Sequence, residues 1–194
     1  MTHTRISILT AVLAAGLIGA DQGPAPQYDA KGQLLFPADY REWVFLSSGL
    51  GMSYSPPAPG REEHQQFDNV FAAPPAYRSF LKTGRWPDKT VLLIEVRAAS
   101  SKGSINQAGY FQTDLTEIEA EVKDEKRFPT QWAFFSFGKG LAAGRQRPTS
   151  DACYSCHAEH GAVDHTFVQF YPTLLKVARE KGTLEAGYAE RPVR

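Results

Sequence analysis

The only two cysteines in this 194-residue chain, Cys153 and Cys156, lie three positions apart, and His157 follows at once, in the stretch DACYSCHAEH over residues 151–160. This spacing constrains the fold more than any other feature of the chain. As a disulfide, the pair would close a very short loop and remove little freedom from the unfolded chain. As a redox pair of thioredoxin type, it would need a strand before it and a helix after it in a βαβ unit, whereas GRQRPTSDA just upstream reads as a loop. A zinc site wants four ligands, and only His160 and His165 stand near enough in sequence to complete one.

The fifth residue separates these readings, because Cys-x-x-Cys-His is the attachment signature of c-type haem. Two thiols on a tight helical turn reach the two vinyl groups on one edge of a porphyrin. The next residue then lies under the ring, so His157 is the expected proximal iron ligand. The cofactor expected is one covalent haem c per chain, held by Cys153, Cys156 and His157.

The N-terminus agrees with that chemistry. Residues 1–5 carry Arg5 and no acid, and ISILTAVLAAGLIGA over 6–20 is an apolar run ending in small residues, the pattern of an export signal cleaved after Ala20. Fifteen residues are short for a bilayer span, and thioether-linked cysteines suit an oxidising compartment. The expected location is therefore the periplasm, with no membrane attachment after cleavage. Loss of Arg5 from 21 basic and 21 acidic residues leaves a balance near −1, which gives no electrostatic footprint for nucleic acid. Residues 21–194 suit one domain, and 12 Phe, 8 Tyr and 3 Trp suit enclosure of a large flat apolar group.

Periodicity predicts an α+β fold, predominantly antiparallel sheet with a few helices. Strands are expected at 42–47, 67–73, 90–98, 108–114, 116–124 and 131–138. In 116–124, Ile118, Ala120 and Val122 alternate with charged residues. A helix is expected over 74–83, with Pro74 and Pro75 in its first turn and Gly84 beyond its end, and another over 172–182. Residues 53–66, rich in Pro, Ser and charge, form the expected mobile loop.

The sixth coordination position decides function. Electron carriers commonly close it with methionine, and after residue 1 the chain has only Met52. His64, His160 and His165 are further candidates. Without such a ligand the iron is open to a small molecule.

Several segments carry a resemblance: LLFPADYREWV (34–44), YRSFLKTG (77–84), GYFQTD (109–114), EVKDEKRFP (121–129), WAFFSF (132–137) and DHTFVQFYPTLL (164–175). In this order they resemble the cytochrome P-460 and cytochrome c′-beta family. The resemblance implies a mostly antiparallel fold, a homodimer, a periplasmic location and a pentacoordinate haem that binds small nitrogen species. Hydroxylamine-oxidising members carry a lysine bonded to a haem meso carbon. In TVLLIEVRA that position falls at Ile94, which cannot make the bond, and Lys89 and Lys102 lie outside the run. The chain therefore resembles the c′-beta branch, which binds nitric oxide and carbon monoxide.

Phe67 and Ile94 are the expected distal-wall residues, on the expectation that the Phe67/Phe71 and Leu92/Ile94/Val96 faces meet over the haem. An apolar wall there withholds hydrogen bonds and excludes water from the iron. Arg147, with Arg145, is a candidate to pair with the haem propionates or sit beside His157. Tyr40, Arg41 and Asp164 read as structural hydrogen-bonding anchors, and no carboxylate pair suggests acid–base catalysis. The expected function is nitric oxide binding for scavenging, transport or sensing, with an unknown redox partner. The alternatives are a P-460-like enzyme oxidising hydroxylamine or nitric oxide, and an electron-transfer cytochrome using Met52.

Overall fold

The computed structural model describes residues 25–54, 65–186 and 188. The expected export signal at 1–20, His64 and most of the loop expected at 53–66 lie outside the described residues.

Seven strands form one antiparallel sheet: β1 (Leu34–Leu35), β2 (Val44–Leu50), β3 (Gln66–Ala72), β4 (Val91–Ser100), β5 (Phe111–Lys123), β6 (Trp132–Gly138) and β7 (Ala143–Gln146). Their order across the sheet is β1-β7-β6-β5-β4-β3-β2. From β2 to β7 each strand pairs with its successor, the arrangement that short connections between antiparallel strands favour. Among the described residues three α-helices complete the fold: α1 (Pro74–Thr83), α2 (Ala152–His160) and α3 (Pro172–Lys181).

Local chemistry sets the helix limits. Pro74 and Pro75 open α1 where no N–H donor is needed, and Gly84 closes it in the left-handed region at φ 73°. Pro172 and Gly182 do the same for α3. Asp151 caps α2, its side chain accepting the backbone N–H of Cys153 at 3.1 Å.

Both faces of the sheet are covered. On one, Phe80, Trp86, Leu92, Trp132, Val163, Leu174 and Ala178 join α1 and α3 to the sheet. On the other, Leu34 and Tyr40 from the N-terminal segment pack with Leu93, Ile118, Val122, Phe135 and Phe137. Alternation along the central strands separates the cores, since Leu92 faces one and Leu93 the other. Glu95, 1% exposed, lies on the second face and is held by Tyr40 Oη at 2.6 Å, by Arg97 Nε at 2.7 Å and by Arg41. Tyr40 and Arg41 thus act as the expected anchors.

Three differences from the sequence reading matter. Residues 111–114 and 116–123 belong to a single strand, because extra residues on β5, opposite Val96–Arg97 and Arg97–Ala99 of β4, absorb the break in pattern as bulges. Gly144, Arg145 and Gln146, read as loop, belong to β7, held by Phe135 and Ser136. The β1 pairing of Leu34 with Gly144 was not predicted.

Candidate functional site

On the face that carries the helices, the sheet forms the wall of an open cleft with a cavity volume of about 210 Å³. Register builds this wall in rows. Ser47, Val70, Ile94 and Glu119 stand directly opposite one another on β2 to β5, and Leu92, Glu121 and Phe134 form the next row on β4 to β6. All seven line the cleft. Facing them are Cys153 and His157 from α2, with Phe167, Phe170 and Tyr171 from the segment that leads into α3.

His157 is held on several sides. Its ring lies 4.6 Å from that of Phe134 and 4.3 Å from that of Phe167 between centroids. Its Nδ1 is 2.9 Å from the carbonyl oxygen of His165 and 3.2 Å from Glu121 Oε2. The ring N–H is directed at the carbonyl, and Glu121 Oε2, though buried, has no hydrogen bond. Burial alone would push the imidazole pKa down, but the Glu121 carboxylate, the His165 carbonyl and the Glu119 charge carry it above its ordinary value. With Nδ1 donating, Nε2 keeps its lone pair, the arrangement a metal-ligating histidine needs.

The accepting carbonyl belongs to a tight turn. Asp164 and His165 both adopt left-handed backbone angles, φ 47° and 62°, between the bridged pair Val163 and Thr166, as a two-residue hairpin turn requires. Asp164 fastens the turn from outside. It accepts Arg85 Nη1 at 2.9 Å and the backbone N–H of Trp86 at 3.1 Å, and Trp86 Nε1 donates to Thr166 Oγ1 at 2.9 Å.

The cysteines make no disulfide. Burial, then the neighbouring Asp151, pushes the Cys153 thiol up to about 11. It is thus a poor thiolate at neutral pH, unlike a redox or zinc cysteine. Among the described residues no group of three His, Cys, Asp or Glu side chains is arranged to hold a metal ion. A strand, β7, does precede α2, but the sheet is antiparallel and offers no βαβ unit.

The cleft fits a haem. It has Val70, Leu92, Ile94 and Phe134 in its wall and an imidazole with a free Nε2 and a thiol on one helix, and no residue of α2 is fully buried, leaving its inner face to pack on whatever fills the cleft. Residues 37–168 match the cytochrome P460 family. The chain belongs to the cytochrome P460 family. No curated protein matches it in sequence. Membership makes it a haem protein of the P460/c′-beta type, with haem as its cofactor.

Within this P460 fold, several expected site residues fall together and others do not. Cys153, His157 and Ile94 line one cleft, and Cys156 follows one turn on along α2. Phe67 is elsewhere. It pairs with Arg97, while Val70 pairs with Ile94, so an odd offset of three puts Phe67 on the opposite face of β3. Val70 and Asp68 take the place expected for it. Arg147 is bound to Glu119 at 2.6 Å, with Glu117 and Asp151 nearby, and is not beside His157. Met52 lines the cleft, its thioether lying against Gly49, where any side chain would collide with it.

Sequence reasoning missed the carboxylates Asp68, Glu119 and Glu121. The alternation over 116–124 was correct, but its charged face turns to the cleft rather than to solvent. Burial raises the pKa of Asp68 and, against the pull of Arg147, that of Glu119. Both are thereby biased toward the neutral form that an apolar surround favours.

Proposed function

We propose that the chain is a periplasmic, dimeric c-type haem protein that binds nitric oxide, and secondarily carbon monoxide, for scavenging, transport or sensing. The observation that carries this reading is Ile94. Where the resemblance places the haem-bonded lysine of hydroxylamine-oxidising members, the cleft has an aliphatic side chain, and no lysine is among its lining residues.

The residues divide the work. Cys153 and Cys156 would hold the macrocycle as thioethers, and His157 Nε2, oriented by the His165 carbonyl, would ligate its iron. When bound, haem would supply an iron able to take a diatomic gas. Val70, Leu92 and Ile94 offer a ligand no hydrogen bond, so beside these three side chains selection works by withholding polar partners. The ferric protein is expected to be high-spin and pentacoordinate, and adding nitric oxide to the ferrous protein to move its absorption bands. A ferrous spectrum unchanged by nitric oxide overturns the reading.

Met52 favours a second reading, an electron-transfer cytochrome, because its thioether lines the same cleft. A low-spin spectrum that Met52→Ala converts to high-spin supports that reading and overturns the first.

A further inference from the structure

Glu121 is the least explained group in the cleft. Its side chain is 13% exposed, and its Oε2 is buried with no hydrogen bond. A buried carboxylate oxygen is normally paired, since leaving it without a donor forfeits its hydration uncompensated. The neighbouring acid on the same face, Glu119, has Arg147 at 2.6 Å. Glu121 has His157 Nδ1, 3.2 Å from Oε2.

The His157 N–H thus has two acceptors within reach, a neutral carbonyl at 2.9 Å and a carboxylate at 3.2 Å. A small rotation of the ring redistributes the proton between them. The two acceptors differ in effect, because a carboxylate draws the N–H more strongly and leaves more electron density on Nε2. Glu121 sits in the centre of the sheet on β5, with Leu92 and Phe134 as direct register neighbours. Its backbone is therefore fixed on both sides, as a tuning group requires.

We propose that Glu121 is a positioning residue that sets the donor strength of His157 toward iron, in competition with the His165 carbonyl. The proposal rests on the reading of His157 as the axial ligand. Glu121 touches neither iron nor gas. It acts through the imidazole, strengthening the iron–imidazole bond and favouring the ferric state.

The test compares ferrous haem-loaded wild type with Glu121→Gln and Glu119→Gln by resonance Raman spectroscopy and redox titration. Glutamine keeps the shape and an acceptor but removes the charge. In Glu121→Gln the iron–imidazole stretch should fall in frequency and the midpoint potential should rise. A tenfold loss of ferric preference corresponds to about 59 mV for one electron. Glu119→Gln alters a second acid of the same cleft, the partner of Arg147, without touching His157, so it should leave the stretch unmoved. An unmoved stretch in Glu121→Gln, or equal movement in both variants, overturns the proposal while leaving the axial-ligand reading intact. Absence of any iron–imidazole band from the wild type overturns that reading itself. Should Glu121→Gln fail to load haem, Glu121→Asp, which keeps the charge but withdraws it by one methylene, should give a lowered stretch, and an unchanged stretch there also overturns the proposal.

Discussion

Asp164 accepts the backbone N–H of Trp86 at 3.1 Å across 78 residues of chain. This bond ties the loop after α1 to the turn whose carbonyl holds His157, so the proximal support is anchored in the core rather than in the haem segment. Asp164→Ala removes that acceptor and the partner of Arg85, and puts alanine in a left-handed conformation that Asp and Asn tolerate better. The expected loss is about 3 kcal/mol in denaturant titration, with unchanged slope. Asp164→Asn, which keeps the conformation and one acceptor, should lose roughly half as much.

Ile94 provides a test of selection by withheld polarity. In ferric Ile94→Gln, an amide aimed into the cleft should hold water over the iron, and the spectrum should change from five- to six-coordinate high-spin. Because the gas must displace that water without reproducing its hydrogen bond to the amide, a loss of about 1 kcal/mol, ligand affinity should fall ~5-fold.

The thioether linkage is tested by extraction. Acidified organic solvent should leave haem on the wild-type chain, seen as an added mass in denaturing mass spectrometry. Cys153→Ser combined with Cys156→Ser should release all of it. Release from the wild type would contradict covalent attachment.

Glu95 predicts a pH dependence unrelated to the cleft. Burial pushes its carboxyl up, but hydrogen bonds from Arg97 and Tyr40, with the charges of Arg41 and Arg97, outweigh burial and hold it below the usual range. The folded value is thus the lower one. Its contribution is complete above the unfolded value, about 4.5, and disappears as pH falls through the folded value. Glu95→Gln should flatten the acid limb of stability against pH. Glu95→Ala, which strands Arg97 and Tyr40, should cost about 3 kcal/mol at neutral pH.

Legibility of the sequence followed the strength of local rules. Pro74-Pro75 and Gly84 marked α1 at its observed limits because proline and glycine act within a few residues. The β-branched run of β4 and the alternation of β5 were equally plain. Strand β7 was not, since AGRQ has no pattern of its own and is a strand because β1 and β6 lie on either side of it. The same applies to Phe67. Parity within a strand can be read from sequence, but which face meets the neighbour's face depends on register, a tertiary property. His157 was visible through its motif, whereas Glu121, 36 residues earlier in an ordinary amphipathic strand, carried no local signal.

Unlike α1 and α3, helix α2 has no fully buried residue. A nine-residue helix does not persist in water on its own hydrogen bonds. The porphyrin would therefore serve this segment as its missing hydrophobic layer, so that loading the pigment and setting the helix become one event. On that account the pigment-free chain should keep its sheet but lose order around residues 152–160, and maturation would finish at the C-terminal third of the chain.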